Sequence, residues 1–143
     1  MFHFQLVSIS GKKFDEDVYE VVLPTLDGQI GVMQDHMPLV SVAAPGAIMV
    51  RRNPRDPDHA REFFATSGGA IEVSNNTLRV LVDEADRAEE INETEAQKAL
   101  ELATKMKTEA KDQVSLEHAQ QLVDRHEVRL QVAGLKRRHQ RNR

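Results

Sequence analysis

The chain of 143 residues contains no cysteine. Disulfides, thiolate metal sites and cysteine nucleophiles are thereby excluded, and the absence suits a reducing compartment. No segment approaches the ~20 apolar residues of a membrane-spanning helix. The first residues carry neither a basic region nor a long apolar run, so no signal peptide is expected. Aromatics make up only 4% of the chain, all at or before Phe64, and no proline follows Pro57. Phosphate-cradling patterns such as GxxxxGK(S/T) or GxGxxG are missing around Gly68-Gly69. The six histidines show no ligand spacing with a carboxylate partner, so no metal site is expected. There is no internal repeat and no low-complexity tract.

What is present falls into two halves. Six of the seven glycines lie at or before Gly69, and beyond Asp83 the vocabulary becomes Ala, Glu, Lys, Gln, Leu and Arg. Turn-punctuated strand chemistry gives way to helix chemistry. Short strands are expected over residues 2–8, 19–23, 46–52, 62–66, 70–74 and 77–82. Asn75-Asn76 and Asp27-Gly28 are turns of the kind that tolerate positive φ. Such a series predicts an all-β sandwich or barrel over residues 1–85. Gly68-Gly69 then reads as a close backbone approach within the sheet.

Residues 86–143 are expected to form an antiparallel hairpin of two similar helices, making the whole chain α+β. Asn92 and Glu95 have the spacing of a capping box. Behind them Ala96, Ala99, Leu100, Ala103, Met106 and Ala110 recur at helical intervals, followed by Leu116, Ala119, Leu122, Val123, Leu130 and Ala133. Ser115 is the expected second N-cap. A seam so rich in alanine buries little apolar area per contact and should open easily.

Charge is polarised along this half. Asp83, Glu84, Asp86, Glu89, Glu90, Glu93 and Glu95 crowd its start, and Arg125, Arg129, Lys136, Arg137, Arg138, Arg141 and Arg143 its end. The acidic run is what a helix N-terminus favours. Five cations in the last eight residues exceed what one helix terminus needs. They call for an anionic partner: an acidic protein, a membrane surface or nucleic acid.

No enzyme emerges from the candidate residues. Asp35-His36 could be an orienting carboxylate and a base, but neighbours in an extended chain point apart and no nucleophile accompanies them. His126 falls on the apolar seam of the second helix and reads as a packed histidine. Composition and patterning together describe a β-domain carrying a helical hairpin with a basic end, a binding or regulatory module.

An ordered set of segments resembles the epsilon subunit of F-type ATP synthases, the counterpart of mitochondrial delta. They are Leu23-Pro24-Thr25-Leu26-Asp27-Gly28-Gln29-Ile30-Gly31, then His36-Met37-Pro38-Leu39-Val40, then Pro45-Gly46. Ser67-Gly68-Gly69-Ala70-Ile71-Glu72-Val73 and Leu78-Arg79-Val80-Leu81-Val82-Asp83-Glu84-Ala85 follow. The last is Arg129-Leu130-Gln131-Val132-Ala133-Gly134-Leu135-Lys136-Arg137-Arg138. The resemblance implies a flattened β-sandwich followed by two helices that fold against it or extend. It implies a non-catalytic rotor subunit without cofactor, coupling proton flow to ATP synthesis and restraining ATP hydrolysis through the extended hairpin. Its partners would be the gamma subunit, the membrane rotor ring and the catalytic beta and alpha subunits, at the cytoplasmic face of a bacterial plasma membrane.

Residue by residue, the resemblance makes Gln29, Gly31 and His36 a loop touching the membrane ring, with Gly28 and Gly31 permitting a tight backbone path. It makes Arg125, Arg129, Lys136, Arg137 and Arg138 contacts to an acidic segment of the beta subunit. Some relatives bind ATP through a motif Ile/Leu-Asp-x-x-Arg-Ala. The matching Ile91, Asn92, Glu95 and Ala96 replace its Asp and Arg, so ATP is expected to bind weakly or not at all. The segment 52–61 is longer than the usual hairpin connection and reads as a surface insertion. The alternative reading is a nucleotide-sensing or nucleic-acid-associated β-domain with a basic tail, for which base-stacking aromatics on a β-face are too few.

Overall fold

Alternation along the first strand sets the architecture. Phe2, Phe4, Leu6 and Ser8 of β1 (Phe2–Ser8) point inward at every second residue, and the residues between them are only half-buried. The computed structural model describes residues 1–141. It continues with β2 (Gly11–Val18), β3 (Glu20–Thr25), β4 (Gly28–Val32), β5 (Leu39–Ala43) and β6 (Gly46–Arg51). A 3-10 turn (Asp58–Ala60) precedes β7 (Glu62–Thr66), β8 (Gly69–Ser74), β9 (Thr77–Val82) and β10 (Ala85–Arg87). A second 3-10 turn (Ala88–Glu90) leads into α1 (Glu93–Glu109) and α2 (Gln113–Arg141).

The strands form a folded-over sheet in the order β10-β7-β6-β3-β5-β8-β9-β1-β2, with β4 joined to β3. The β1–β9 pair is parallel, whereas β8–β9 and β6–β7 are antiparallel hairpins. The expected sandwich is therefore present. Its interior holds Phe4, Leu6, Leu23, Ile48, Phe64, Ile71, Leu78 and Val80, all essentially without solvent exposure. Phe14 stacks on Phe4 and meets Phe64 edge-on, at centroid distances of 5.3 and 5.9 Å.

Two local expectations hold for stated physical reasons. Asn75 and Asn76 have φ of 51° and 59°, the left-handed pair of a two-residue hairpin turn. Gly69 lies where a Cβ would come 1.9 Å from the Leu81 carbonyl oxygen, so only glycine allows β8 to meet β9. Others are corrected. β2 was not expected, because only Phe14 and Val18 of its eight residues are buried and the rest is charged edge. β4, β5 and β10 were also unforeseen, and β10 runs past position 85. Gly31 has open space around its α-carbon and ordinary backbone, so the tight path rests on Gly28 alone, at φ 114°.

The helices differ more than the pattern suggested: α1 has 17 residues and α2 has 29, about 25 and 44 Å long. Asn92 caps α1, its Oδ1 accepting from the Glu95 amide at 3.0 Å. For α2 the capping side chain is Asp112, not Ser115. Asp112 Oδ1 accepts from the Ser115 amide at 2.7 Å, and that bond holds its carboxyl below the usual range. The extra length of α2 has a cause. Its far half carries Val128, Val132, Ala133 and Leu135, which bury against Phe63 and Ala65 of β7 and Met49 of β6. The hairpin is thus folded against the sandwich, with α1 lying along α2.

Candidate functional site

Four cations of α2, Arg125, Arg129, Lys136 and Arg137, each find a carboxylate on the segment that runs from the sheet into α1. Arg125 Nη2 lies 2.6 Å from Glu84 Oε2, just before β10. Arg129 Nε lies 3.2 Å from Asp86 Oδ2 on β10, a contact not aligned as a hydrogen bond. Lys136 pairs with Glu89 in the second 3-10 turn. Arg137 Nη1 donates to both oxygens of Glu93 at the start of α1, at 2.7 and 2.9 Å. Residues 84–93 and 125–137 therefore run alongside each other in the same direction as a ladder of four rungs.

Strand alternation explains why the acids face the helix. Asp86 points to α2, whereas Ala85 is buried and Arg87 turns the other way, over the Phe64 ring and onto Glu62. Arg138 stands outside the ladder, exposed, with its Nε 3.5 Å from the Gly134 carbonyl. Arg143 lies outside the described residues. His126 sits between the upper rungs with Nδ1 buried and unpartnered. Burial, then Arg125 and Arg129, push its pKa below the ordinary value.

Gln29, Gly31 and His36 do not share one loop. Gln29 and Gly31 lie on the exposed side of strand β4, and His36 lies in the turn beyond its far end. That turn is built around Asp35, with φ of 63°. His36 Nδ1 donates to the Met37 carbonyl at 2.7 Å and its amide to the Met33 carbonyl. Asn76, from the β8–β9 turn, fixes the arrangement: its Oδ1 accepts from the Asp35 amide at 3.0 Å and its Nδ2 donates to the Met1 carbonyl at 3.1 Å. Sequence reasoning gave Asn76 a turn and missed this bridging role, which only tertiary structure reveals.

A second exposed feature lies on the outer face of β5, β8, β9 and β1. Cross-strand pairing aligns Val42, Ala70, Leu81 and Val7 in one row. Val42 and Leu81 are 54% and 48% exposed, and nearby Val40 is 82% exposed. Large apolar side chains clustered like this on a sheet face mark a contact surface.

The degenerate nucleotide motif is occupied with structural duties. Ile91 and Ala96 are buried in the cluster beneath α2, Asn92 caps α1 and Glu95 points to solvent. Among the described residues no cluster of three or more potential ligands could hold a metal ion. Among the same described residues no helix is long and apolar enough to cross a membrane.

The β-sandwich model of the ATP synthase delta/epsilon chain matches residues 1–88. This chain belongs to that family. It is 33% identical to the ATP synthase epsilon chain of Herpetosiphon aurantiacus over 136 residues, covering 95% of this chain and 96% of that one. It is 31% identical to the epsilon chain of Persephonella marina, covering 95% and 98%. The chloroplastic epsilon chain of Cucumis sativus is 37% identical over 90 residues, 63% of this chain and 64% of that one. In fold it resembles a chain in the cryo-EM structure of the Euglena gracilis mitochondrial ATP synthase OSCP/F1/c-ring assembly. The TM-score is 0.75 at 22% identity, over 92% of this chain and 79% of that one.

Within the delta/epsilon family fold, four of the five expected basic residues, all but Arg138, converge on one helix face. The sequence signal for their partners was available: two blocks of opposite sign in one chain. The acidic run had been assigned to a helix terminus instead. Only Glu93 and Glu95 lie in the first turn of α1, and Glu84, Asp86 and Glu89 face α2.

Proposed function

We propose that this chain is a non-catalytic central-stalk subunit of an F-type proton-translocating ATP synthase. The observation that carries the reading is the likeness to epsilon chains along 95% of the sequence, sandwich and hairpin together. Residues 1–88 form the coupling unit, and the hairpin of residues 93–141 is a regulatory arm. The apolar row of Val42, Ala70 and Leu81 is the face we assign to the gamma subunit, because exposed valines and leucines need a permanent apolar cover. The exposed side of β4 with Gln29 and Gly31, and the Asp35–His36 turn, are assigned to the polar loops of the membrane ring.

In this reading the arm restrains ATP hydrolysis when it leaves the sandwich. Arg125, Arg129, Lys136, Arg137 and Arg138 then meet acidic surface on the catalytic beta subunit beside alpha. ATP is not its switch ligand, since Asn92 and Glu95 present a cap and an anion where phosphate would need a cation. The protein works peripherally, at the cytoplasmic face of the membrane, as a subunit with no reaction of its own. The family match favours this reading over a nucleic-acid-associated domain.

The test is association. Mixed with the gamma subunit of the same enzyme, the chain should co-elute as a stable complex. Val42→Lys combined with Leu81→Lys should abolish co-elution while the sandwich stays folded. Co-elution unaffected by the double substitution would remove the assigned face, and no complex with gamma at all would remove the reading.

A further inference from the structure

Only the far half of α2 is packed on the sheet, and the residues of the two halves explain why. Val128, Val132, Ala133 and Leu135 bury against β6 and β7. Ahead of them the helix presents His118, Gln121, Asp124 and Arg125 to the rim of the sandwich, with Leu122 the apolar residue among them. This polar half stands off the rim and leaves an open groove of about 600 Å³. A space of that size lies in the range of small-molecule sites.

The wall opposite the helix is fixed backbone. Ser8 Oγ donates to the Gly11 carbonyl at 3.2 Å and holds the turn that presents Ile9 and Ser10. The Ile9 amide donates to the Asp83 carbonyl at 3.3 Å, which ties Asp83 to that turn. Gly68, at φ 97°, carries the link from β7 to β8 past Pro45, and a Cβ there would come 3.0 Å from the Ala43 carbonyl oxygen. The Ser67 amide donates to the Glu84 carbonyl, and the Glu84 amide donates to Ser67 Oγ at 3.3 Å. The wall is therefore preformed.

Charge decides what the groove fits. Asp83, Glu84 and Asp124 line it, and Arg125 is already engaged with Glu84 at 2.6 Å. Asp124 accepts from the neutral Gln120 side chain at 2.8 Å, and among the described residues the Asp83 side chain has no hydrogen bond or ion pair. One carboxylate on the helix and one on the rim thus lack a counter-charge. Ile9, 83% exposed, together with Pro45 and Leu122 adds apolar lining.

These features select among ligands. A nucleotide or other anion would meet excess negative charge. A bare divalent cation needs several oxygens gathered around one point, and the described residues contain no such cluster. Ammonium groups spaced by methylene segments satisfy both the carboxylates and the apolar lining.

We propose that the groove between the near half of α2 and the sandwich rim binds a linear aliphatic polyamine. Its ammonium groups pair with Asp83 and Asp124, and its methylene chain lies on Ile9, Pro45 and Leu122. The proposal stands without the central-stalk assignment, because it is tested on the isolated chain.

Spermidine is the probe, titrated into the isotopically labelled full chain and followed by amide NMR. Saturable shifts are expected at Ile9, Ser10, Asp83 and Leu122, with a Kd below about 1 mM in low salt. Mg²⁺ at the same charge concentration should move these amides less and without saturation. Asp83→Asn with Asp124→Asn should weaken spermidine binding about tenfold. Ile9→Ser, at an exposed turn position, should weaken it about threefold with the charge unchanged. Glu101→Gln with Glu109→Gln changes the net charge equally on the exposed side of α1 and should leave binding as it was. Equal weakening by the α1 pair, equal action of Mg²⁺ and spermidine, or no saturable binding would overturn the proposal.

Discussion

Arg125 reaches the Glu84 carboxylate at 2.6 Å, joining the middle of the longest helix to the residue just ahead of the last strand. The pair links the two halves that composition alone separates. Removing its cationic member should act oppositely on two readouts. Arg125→Ala with Arg129→Ala loosens the folded hairpin, by roughly 0.5–2 kcal/mol for two part-exposed pairs. It also removes the groups that would hold an acidic partner. Amide exchange along α2 should quicken, while inhibition of ATP hydrolysis in the assembled enzyme should weaken rather than grow. Stronger inhibition would mean that these arginines only restrain the arm.

Gly69→Ala should be among the most damaging single substitutions in the sandwich. The added methyl would sit 1.9 Å from the Leu81 carbonyl oxygen, and backbone cannot yield as a flexible side chain can. A loss of more than about 3 kcal/mol in denaturant unfolding is expected, against less than about 0.5 kcal/mol for Gly31→Ala. Equal effects would contradict the close approach of β8 to β9.

Two histidines should respond to acidification with opposite sign. His126 has a pKa below its ordinary 6.5 in the docked helix, through burial and then the Arg125 and Arg129 charges, opposed by Glu84 and Asp86. Docking of α2 is therefore fully stable above pH 6.5 and weakens as pH falls toward the lower folded value. His3 has a raised pKa because Asp17, at 2.8 Å, and then Asp15 favour its charged form. Its contribution is complete below 6.5 and is lost as pH rises through the higher folded value. Amide exchange between pH 5.5 and 7.5, corrected for intrinsic rates, should show α2 loosening at low pH and the β1–β2 pair loosening at high pH. Parallel trends in both would contradict these environments.

Asn76→Gly keeps the left-handed turn but deletes the bonds to Asp35 and Met1. Global stability should fall by about 1 kcal/mol or less. Seating on the membrane ring, read as retention of the sandwich by ring-containing vesicles with gamma present, should fall clearly more than for Asn75→Gly. Identical retention by the two variants would deny Asn76 its bridging role.

The segment 52–61 bears on the docking of α2, since its 3-10 turn contacts that helix. Arg51 donates to the Asp56 carbonyl at 2.5 Å and pairs with Asp58 at 3.1 Å, shaping the loop whose 3-10 turn touches α2. Close by, the Phe63 and His139 rings stack at 5.1 Å. Replacing residues 53–60 by a two-residue turn should increase proteolysis near the end of α2 and leave the β-sandwich melting transition nearly unchanged. Proteolysis no faster than in the full chain would make the segment the plain surface insertion that its sequence suggests.

Strands with alternating burial were legible in the sequence because one face of each meets a core, as in β1 and β9. β2 was not, because an edge strand with two buried residues leaves almost no periodic signal. The start of α1 followed from Asn92, but α2 outran its own pattern because its last turns bury against β6 and β7, a contact no local rule reports. The cations were found by their excess. Their partners were missed because an acidic run beside a helix start already has a local explanation, and competition between a local and a tertiary explanation cannot be decided from one sequence. The apolar row of Val42, Ala70 and Leu81 depends on strand register across three strands, which emerges only with the sheet.

The most direct measurement compares ATP hydrolysis by the reconstituted catalytic complex carrying either the full chain or a chain ending at Glu90. The account predicts that the shortened chain still assembles on gamma and that hydrolysis rises several-fold once the arm is gone. Assembly with unchanged hydrolysis would contradict the regulatory role of the hairpin, and failure of both chains to assemble would contradict the central-stalk assignment itself.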